Sequence, residues 1–191
     1  MSISCTAFVG SRRIASGGLE EVAWKAKEAM DQDRWAQVLI FDDITSEPIE
    51  VDLRGTPEDV RRRLAEGRAD PVEAARRPGR PKLGVVAREV TLLPRHWEWL
   101  ATQPGGASVA LRKLVEQARA ANRETDRRRL ATEAAYRFLS AMAGNEPQFE
   151  EATRALFAGD AKKFEEMTER WPVDVRDHSR KLAAGAFSPE G

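Results

Sequence analysis

The spacing of apolar residues predicts a small sheet and a helix near the start of the chain. Residues 5–9 and 12–15 flank a Gly-Ser dipeptide and predict the two strands of a β-hairpin. Past two further glycines, apolar residues recur every three or four positions. This spacing predicts a helix with one buried face, made of Leu19, Val22, Ala23, Ala26 and Met30. Residues 38–41 are continuously apolar, which is typical of a buried strand.

A second hairpin and a second helix are predicted next. Ile49, Val51 and Leu53 alternate with polar residues, as in a strand with one solvent-exposed face. Thr56 is followed by a proline and, three positions later, by an aspartate, which predicts a capped helix N-terminus. Residues 1–66 therefore predict a small α+β domain with a mostly antiparallel sheet.

The last third of the chain has the pattern of a helical domain. From residue 125 onward the apolar residues keep helical spacing, and the predicted helix ends are at Gly144, Gly159 and Pro172. Asn145 and Gln148 have the spacing of a capping box, and Asp160 is expected to cap a further helix. We predict a helical domain at 124–185 and a frayed tail at 186–191.

The middle of the chain has two parts. Residues 67–87 are rich in proline, glycine and arginine and lack apolar periodicity, which predicts a basic linker. Residues 88–123 predict a short strand at 88–93 and two short helices separated by a glycine turn. The expected fold class is thus α+β, with a small mixed N-terminal unit, a central strand-helix-helix segment and a C-terminal helical bundle.

The composition is that of a soluble globular protein, with 41% hydrophobic and 32% charged residues. We expect no membrane association, because no apolar stretch is long enough to span a bilayer and no signal peptide is visible. The single cysteine, Cys5, cannot form an internal disulfide, so a reducing cytoplasm is the expected compartment. We expect no cofactor and no metal, because no phosphate-binding glycine loop, dinucleotide fingerprint or zinc pattern is present.

The formal net charge of zero conceals a strong asymmetry along the chain. Residues 1–60 contain 6 basic and 12 acidic side chains, a net charge of −6. Residues 61–130 contain 17 basic and 8 acidic side chains, a net charge of +9, and residues 131–191 contain 8 and 11, a net charge of −3. A basic middle is typical of a segment that binds a polyanion. Neutralisation within the folded chain or across a dimer explains the same charges equally well.

Residues 88–119 resemble a ribbon-helix-helix domain: a strand, Pro94 opening a first helix, a glycine turn, and Ser108 capping a second helix. In that family two chains pair their strands into an antiparallel ribbon that enters the DNA major groove. The resemblance implies a homodimer, and it implies that Ser108 and the Val109 amide bind a phosphate. It also implies that the inner helix faces contain Trp97, Leu100, Ala101, Leu111, Leu114, Val115 and Ala118.

The strand departs from that family's pattern in one respect. In that family the residue just before the first helix faces inward, and so does every second residue before it. Counting back from Pro94, this rule places Leu93, Thr91 and Glu89 on the inner face. Hydrophobicity favours the opposite assignment, with Val90 and Leu92 inward. Because a shift of one residue moves every side chain to the other face, the two alternatives stay open from sequence.

A second, partial resemblance involves residues 77–82, which are similar to an AT-hook with a proline inserted before the glycine. An extended basic arm of this kind follows the phosphate backbone in the minor groove. We expect Arg80 and Lys82 to contact the backbone and Arg88 to lie at the edge of the ribbon. The alternative for this tract is an ordinary solvated linker.

Over its whole length the chain looks like a bacterial family catalogued as domain of unknown function 2239. Two blocks of sequence carry this likeness. The first runs from residues 79–82 to the glycine turn at 105–108, and the second runs from residues 157–160 to Trp171 and Pro172. The resemblance implies a bacterial source and adds no catalytic residue or cofactor.

These observations lead to two main interpretations of function. The first is a DNA-binding protein, either a transcriptional regulator or a nucleoid-associated factor. The second is a protein-interaction or scaffold protein with an unknown protein partner and no nucleic-acid binding. An enzyme of unrecognised type is a third, because acid and hydroxyl groups can converge in space without any sequence spacing.

Overall fold

The computed structural model describes residues 3–33, 35–67, 86 and 88–187. The chain divides into two compact units. Residues 1–69 and 125–191 together form what we call the split unit, and residues 70–124 form the inserted unit.

Three strands and eight helices are formed by the described residues. The strands are β1 (Ser4–Val9), β2 (Arg12–Gly18) and β3 (Val38–Asp42). The helices are α1 (Leu19–Gln32), α2 (Pro57–Gly67), α3 (Pro94–Ala101), α4 (Gly106–Ala121), α5 (Arg123–Met142), α6 (Phe149–Ala158), α7 (Ala161–Thr168) and α8 (Val173–Ala183). This mixture confirms the α+β class expected from the apolar pattern.

The sheet of the split unit is antiparallel and has the order β2-β1-β3. The first two strands form the predicted hairpin, with Gly10 at a φ of 55° in its turn. Helix α1 follows β2 directly, because Gly18 is its N-cap and the apolar residues after it keep helical spacing.

The two faces of the sheet contribute to two apolar cores. On one face, Cys5, Ala7 and Ile40 pack with Val22 and Ala26 of α1. On the other face, two strand phenylalanines pack against the C-terminal helices. The Phe8 and Phe41 rings lie 5.4 and 5.3 Å from the ring of Phe138 on α5. Alternate side chains of a strand point to opposite faces, so β1 supplies both cores.

The second core joins parts of the chain that are far apart in sequence. It contains Phe8 and Phe41 together with Leu139, Leu156 and Trp171, all of them buried. The segments that the apolar pattern assigns to separate domains, 1–66 and 124–185, therefore share a core in the structure.

The predicted second hairpin is wrong. Residues 49–53 form no strand. The sheet is extended by a bridge between Phe41 and Pro48, which has one bond from the Asp42 amide to the Glu47 carbonyl (3.0 Å) and one from the Ile49 amide to the Ile40 carbonyl (2.8 Å). The alternation itself is correct, since Ile49, Val51 and Leu53 are half-buried against the Cys5 core. It is produced here by packing on a core, without a neighbouring strand to complete a hydrogen-bonded ladder.

Two of the three helix caps predicted within the split unit are formed. The Thr56 hydroxyl accepts from the Asp59 amide (3.2 Å), and the Asp59 carboxylate accepts from the Thr56 amide (3.0 Å). Asp160 accepts from the Lys163 amide (3.0 Å) and caps α7. The capping box at Asn145 and Gln148 is wrong, because Gln148 is the N-cap of α6 in a left-handed conformation (φ 63°) and its side chain caps nothing.

Candidate nucleic-acid interface

The inserted unit contains the segment that resembles a DNA-binding domain. Pro94 stands at the first position of α3, where its missing amide hydrogen is not needed. The helix ends at Ala101, and a turn leads to Gly105, which has a φ of 84° and is the N-cap of α4. A Cβ at position 105 would lie 3.2 Å from the Val109 side chain, so both the backbone conformation and the available space favour glycine.

The predicted role of Ser108 as a helix cap is wrong. Helix α4 begins at Gly106, because the left-handed Gly105 starts it three residues earlier than the sequence pattern indicates. Ser108 is the third residue of the helix and is exposed, and Val109 is half-buried. Both still lie in the first turn, where backbone amides lack intrahelical acceptors. The predicted phosphate contact at these two residues is neither supported nor contradicted by the structure.

The predicted strand at 88–93 is not formed within the single chain. Residues 88–92 make no backbone hydrogen bond to any other part of the chain that the structure describes. Their amides and carbonyls therefore have no backbone partner there, as in an edge strand that awaits pairing. A ribbon between two chains stays a prediction.

The two short helices leave an open apolar cavity of about 290 Å³ between them. It is lined by Leu92, His96, Trp99, Leu100, Leu111 and Leu114. Of the residues predicted for the inner helix faces, Leu100 is buried, whereas Trp97 and Val115 are 43% and 54% exposed. Among residues 88–124, only Leu100 and Ala110 are buried. The apolar face of the inserted unit is thus largely uncovered.

The contacts of Leu92 bear on which face of residues 88–93 turns toward the helices. Leu92 lines the apolar cavity and is half-buried, whereas its neighbours Thr91 and Leu93 are exposed. Leu92 therefore turns toward the helices, as the assignment based on hydrophobicity predicts, but Val90, the other residue that this assignment places inward, is 54% exposed.

Exposed cations lie along the inserted unit. Arg88, Arg95, Arg112 and Lys113 are exposed and form no ion pair within the described part of the chain. Arg119, by contrast, is paired with Glu116 at 3.0 Å. Arg80 and Lys82, the predicted backbone contacts of the basic arm, lie outside the described residues.

The positions of Arg112 and Lys113 were missed by the sequence reasoning. Arg112 lies four residues after Ser108 on α4, and Lys113 lies four residues after Val109. Residues four apart on a helix are neighbours on its surface. The spacing i, i+4 from the predicted phosphate site was the signal that could have identified them.

Other basic residues of the central region are engaged within the protein. Arg62 donates to Asp59 at 2.6 Å, and Arg129 donates to Asp126 and Glu133 at 3.3 and 3.0 Å. Arg61 lies 5.3 Å over the ring of Trp24. The charge asymmetry of the sequence therefore has two sources, since some cations neutralise the protein's own carboxylates and others stay open to solvent.

Three further features bear on metal ions, membranes and thiol chemistry. Among the described residues, no group of three or more His, Cys, Asp or Glu side chains is placed to hold a metal ion. No helix in the described ranges has the length and hydropathy required to cross a bilayer.

Cys5 is buried and its pKa is raised to about 11, first by burial and then by Asp43 and Asp42, so its thiol is protonated at neutral pH.

The fold defines a mixed α+β protein with an inserted segment that contains two helices. The sequence profile of a family described as an uncharacterised protein conserved in bacteria, DUF2239, matches residues 4–183. The chain therefore belongs to that family. No curated protein and no solved structure matches the chain.

Proposed function

We propose that this protein binds duplex DNA as a homodimer, in the bacterial cytoplasm, through the inserted unit. It acts as a transcriptional regulator or nucleoid-associated factor. In this proposal Arg80, Lys82 and Arg88 hold the phosphate backbone. The first turn of α4, with Ser108 and the Val109 amide, anchors a further phosphate.

The size and surface of the inserted unit support a dimer. A segment of fewer than about 40 residues rarely buries enough apolar surface to be stable by itself. Residues 88–121 contain two short helices, an open apolar cavity and a stretch of unpaired backbone. A second copy supplies what is missing, because strand pairing satisfies the backbone of 88–93 and brings the two apolar faces together.

The charge arrangement supports DNA as the ligand. The observation that carries the proposal is that Arg112 and Lys113 are exposed and unpaired, among the described residues, one turn after Ser108 and Val109. Exposed cations next to a helix N-terminus are the features that favour phosphate oxygens. Pairing two chains brings two such groups into one assembly.

The test is the salt dependence of duplex binding. The double variant Arg112→Ala, Lys113→Ala is expected to weaken binding and to flatten the log–log salt dependence by about 0.9 for each phosphate that is no longer neutralised. The matched control is Lys162→Ala with Arg170→Ala, which removes the same charge from exposed positions of the split unit. Equal losses of affinity in the two double variants, or no duplex binding at ~50 mM salt in the unmodified protein, would refute the proposal.

The scaffold interpretation is the alternative, and the uncovered apolar face is the observation that favours it. Val115→Glu on that face is expected to shift the protein from dimer to monomer in sedimentation equilibrium, whereas Ala120→Glu, at an exposed position of the same helix, is not. A dimer that dissociates with Val115→Glu but never binds DNA supports the scaffold interpretation.

A further inference from the structure

The inserted unit contains a second open cavity, of about 190 Å³, next to the apolar one. Trp99 and Leu114 line both cavities. The rest of the lining differs, because the second cavity has three side chains with polar ends, Gln103, Lys113 and Gln117. This cavity therefore combines an aromatic ring, an apolar side chain and three polar groups in one small space.

Residue spacing on two helices builds this cavity. Ala110, Lys113 and Gln117 lie on one side of α4, because positions three and seven residues apart share a helix face. Trp99 lies near the end of α3, and Gln103 follows it by four residues in the turn. Ala110 is buried and ends in a single methyl group, so it leaves space that a longer side chain would fill.

The groups that line this cavity are available to a ligand. Lys113 and Gln117 are exposed and form no hydrogen bond or ion pair within the described part of the chain. The amide nitrogen of Gln103 donates to the Trp99 carbonyl and to the Thr102 hydroxyl, both at 3.3 Å, which leaves the amide oxygen as an acceptor. Trp99 is 50% exposed, so part of its ring is open to solvent.

These groups match the chemistry of a nucleotide. Planar bases stack on exposed aromatic rings, and glutamine amides bond to the polar edge of a base, as they do with adenine. Lys113 is the only charged side chain among the described residues that line the cavity, and a cation favours a phosphate over a neutral ring compound such as a sugar. The volume lies below the ~300–1,000 Å³ of sites that enclose a whole ligand, so it suits a single base.

We propose that the second cavity binds an unpaired nucleobase that carries a phosphate. The base stacks on Trp99, and its polar edge bonds to Gln103 and Gln117. Lys113 pairs with the phosphate. The ligand is a free nucleotide or an unpaired base in a single strand of nucleic acid. This site goes beyond the proposed function, because a base within a duplex is paired and stacked and reaches such a cavity only by leaving the helix.

The test measures two probes on the full-length protein at ~50 mM salt, where phosphate contacts are strong. A fluorescently labelled single strand of deoxyadenylates is followed by anisotropy, and unlabelled 5′-AMP is then added as a competitor. Trp99→Leu removes the aromatic face and is expected to weaken binding of the strand about 5- to 150-fold. Gln117→Ala removes one hydrogen bond and is expected to weaken it about 2- to 12-fold.

The matched control is Trp97→Leu. Trp97 is on the same helix as Trp99, is 43% exposed and lines neither cavity, so its substitution is expected to change the affinity less than about twofold. Far-UV circular dichroism shows whether each variant is folded. If Trp99→Leu does not fold, Gln117→Ala decides the test, because Gln117 is an exposed helix residue.

The outcomes separate this site from duplex binding, which is measured in parallel. Loss of strand binding in Trp99→Leu with intact duplex binding supports the site. Competition by 5′-AMP then identifies a free nucleotide as a sufficient ligand, and its absence identifies the strand. Equal losses in Trp99→Leu and Trp97→Leu, an equal loss of duplex binding in Trp99→Leu, or no binding of either probe would overturn the inference. A protein that binds the strand but no duplex rejects the proposed function and keeps this site.

Discussion

Acid is expected to destabilise the split unit through one buried histidine. His178 on α8 is 1% exposed, and its ring lies 5.4 and 4.6 Å from the rings of Phe8 and Phe138. Neither ring nitrogen has a hydrogen-bond partner in the described structure. Burial lowers the pKa of His178 to about 4; Lys181 and Arg13 also lower it, whereas Asp43 raises it.

The direction of the effect follows from which state binds the proton more tightly. The ordinary histidine pKa of 6.5 applies to the unfolded chain, and the folded value is about 4. Below pH 6.5 the unfolded state therefore binds more protons, and stability falls until the folded pKa is passed near pH 4. The full difference amounts to about 3 kcal/mol, of which about 2 kcal/mol is lost between pH 7 and pH 4.5.

The measurement is urea unfolding, followed by circular dichroism, at a series of pH values. His178→Phe removes the titrating group and keeps an aromatic ring, and His178→Leu serves if phenylalanine does not fit. Each variant is compared with itself at the two pH values, so a change in overall stability does not affect the result. His96→Gln is the control, because His96 is exposed and is the only other histidine in the sequence.

The two histidines should behave differently. The His178 variants are expected to lose about 2 kcal/mol less than the unmodified protein on going from pH 7 to pH 4.5. The His96 variant is expected to lose as much as the unmodified protein. An unchanged acid response in both His178 variants would show that the buried ring does not link protonation to unfolding.

Two further predictions concern single side chains. Gly105→Ala is expected to destabilise the inserted unit by about 1–3 kcal/mol, because a φ of 84° is strained for alanine and the added Cβ would crowd Val109. The measurement is urea unfolding, and the control is Gly18→Ala, at a residue with an ordinary φ. Trp171→Phe is expected to lower the free energy of unfolding by about 1–3 kcal/mol, because the Pro147 carbonyl loses its hydrogen bond from the indole N–H at 2.8 Å. The control is Trp35→Phe, at a residue that is 86% exposed, and it should change the free energy of unfolding by less than about 0.5 kcal/mol.

Local patterns in the sequence predicted the elements whose formation depends on neighbouring residues. The hairpin of β1 and β2, the helix α1 after Gly18 and the strand β3 all follow from apolar spacing and glycine positions. The cap at Asp160 could be predicted because Gly159, which ends α6, is directly followed by an acceptor side chain. Each of these features is determined by residues close to it in sequence.

Features that depend on distant residues could not be predicted in this way. The alternation of apolar and polar residues at 49–53 is the same in a strand and in a segment that only packs on a core. The fold alone shows that these residues pack on a core. The contact of Phe8 with Phe138 joins positions 130 residues apart, for which no local pattern exists. The start of α4 depended on the backbone conformation of Gly105, which residue identity permits but does not impose.

The candidate interface was predicted in part. The position of the two helices and the basic character of the region followed from the sequence, whereas the division of its cations into paired and open ones did not. Arg119 and Arg112 are alike in sequence, and only the structure shows that Arg119 is paired with Glu116. The sequence also did not decide that Leu92, rather than Thr91 or Leu93, lines the cavity.

The core shared by the two ends of the split unit has a consequence for biosynthesis. Phe8 and Phe41 leave the ribosome early, but the helices that cover them contain Phe138 and His178 and emerge more than ninety residues later. Until then one face of the nascent sheet is bare, and the inserted unit is already outside the tunnel. If the proposed dimer forms through the inserted units, two nascent chains can associate while each split unit is still incomplete.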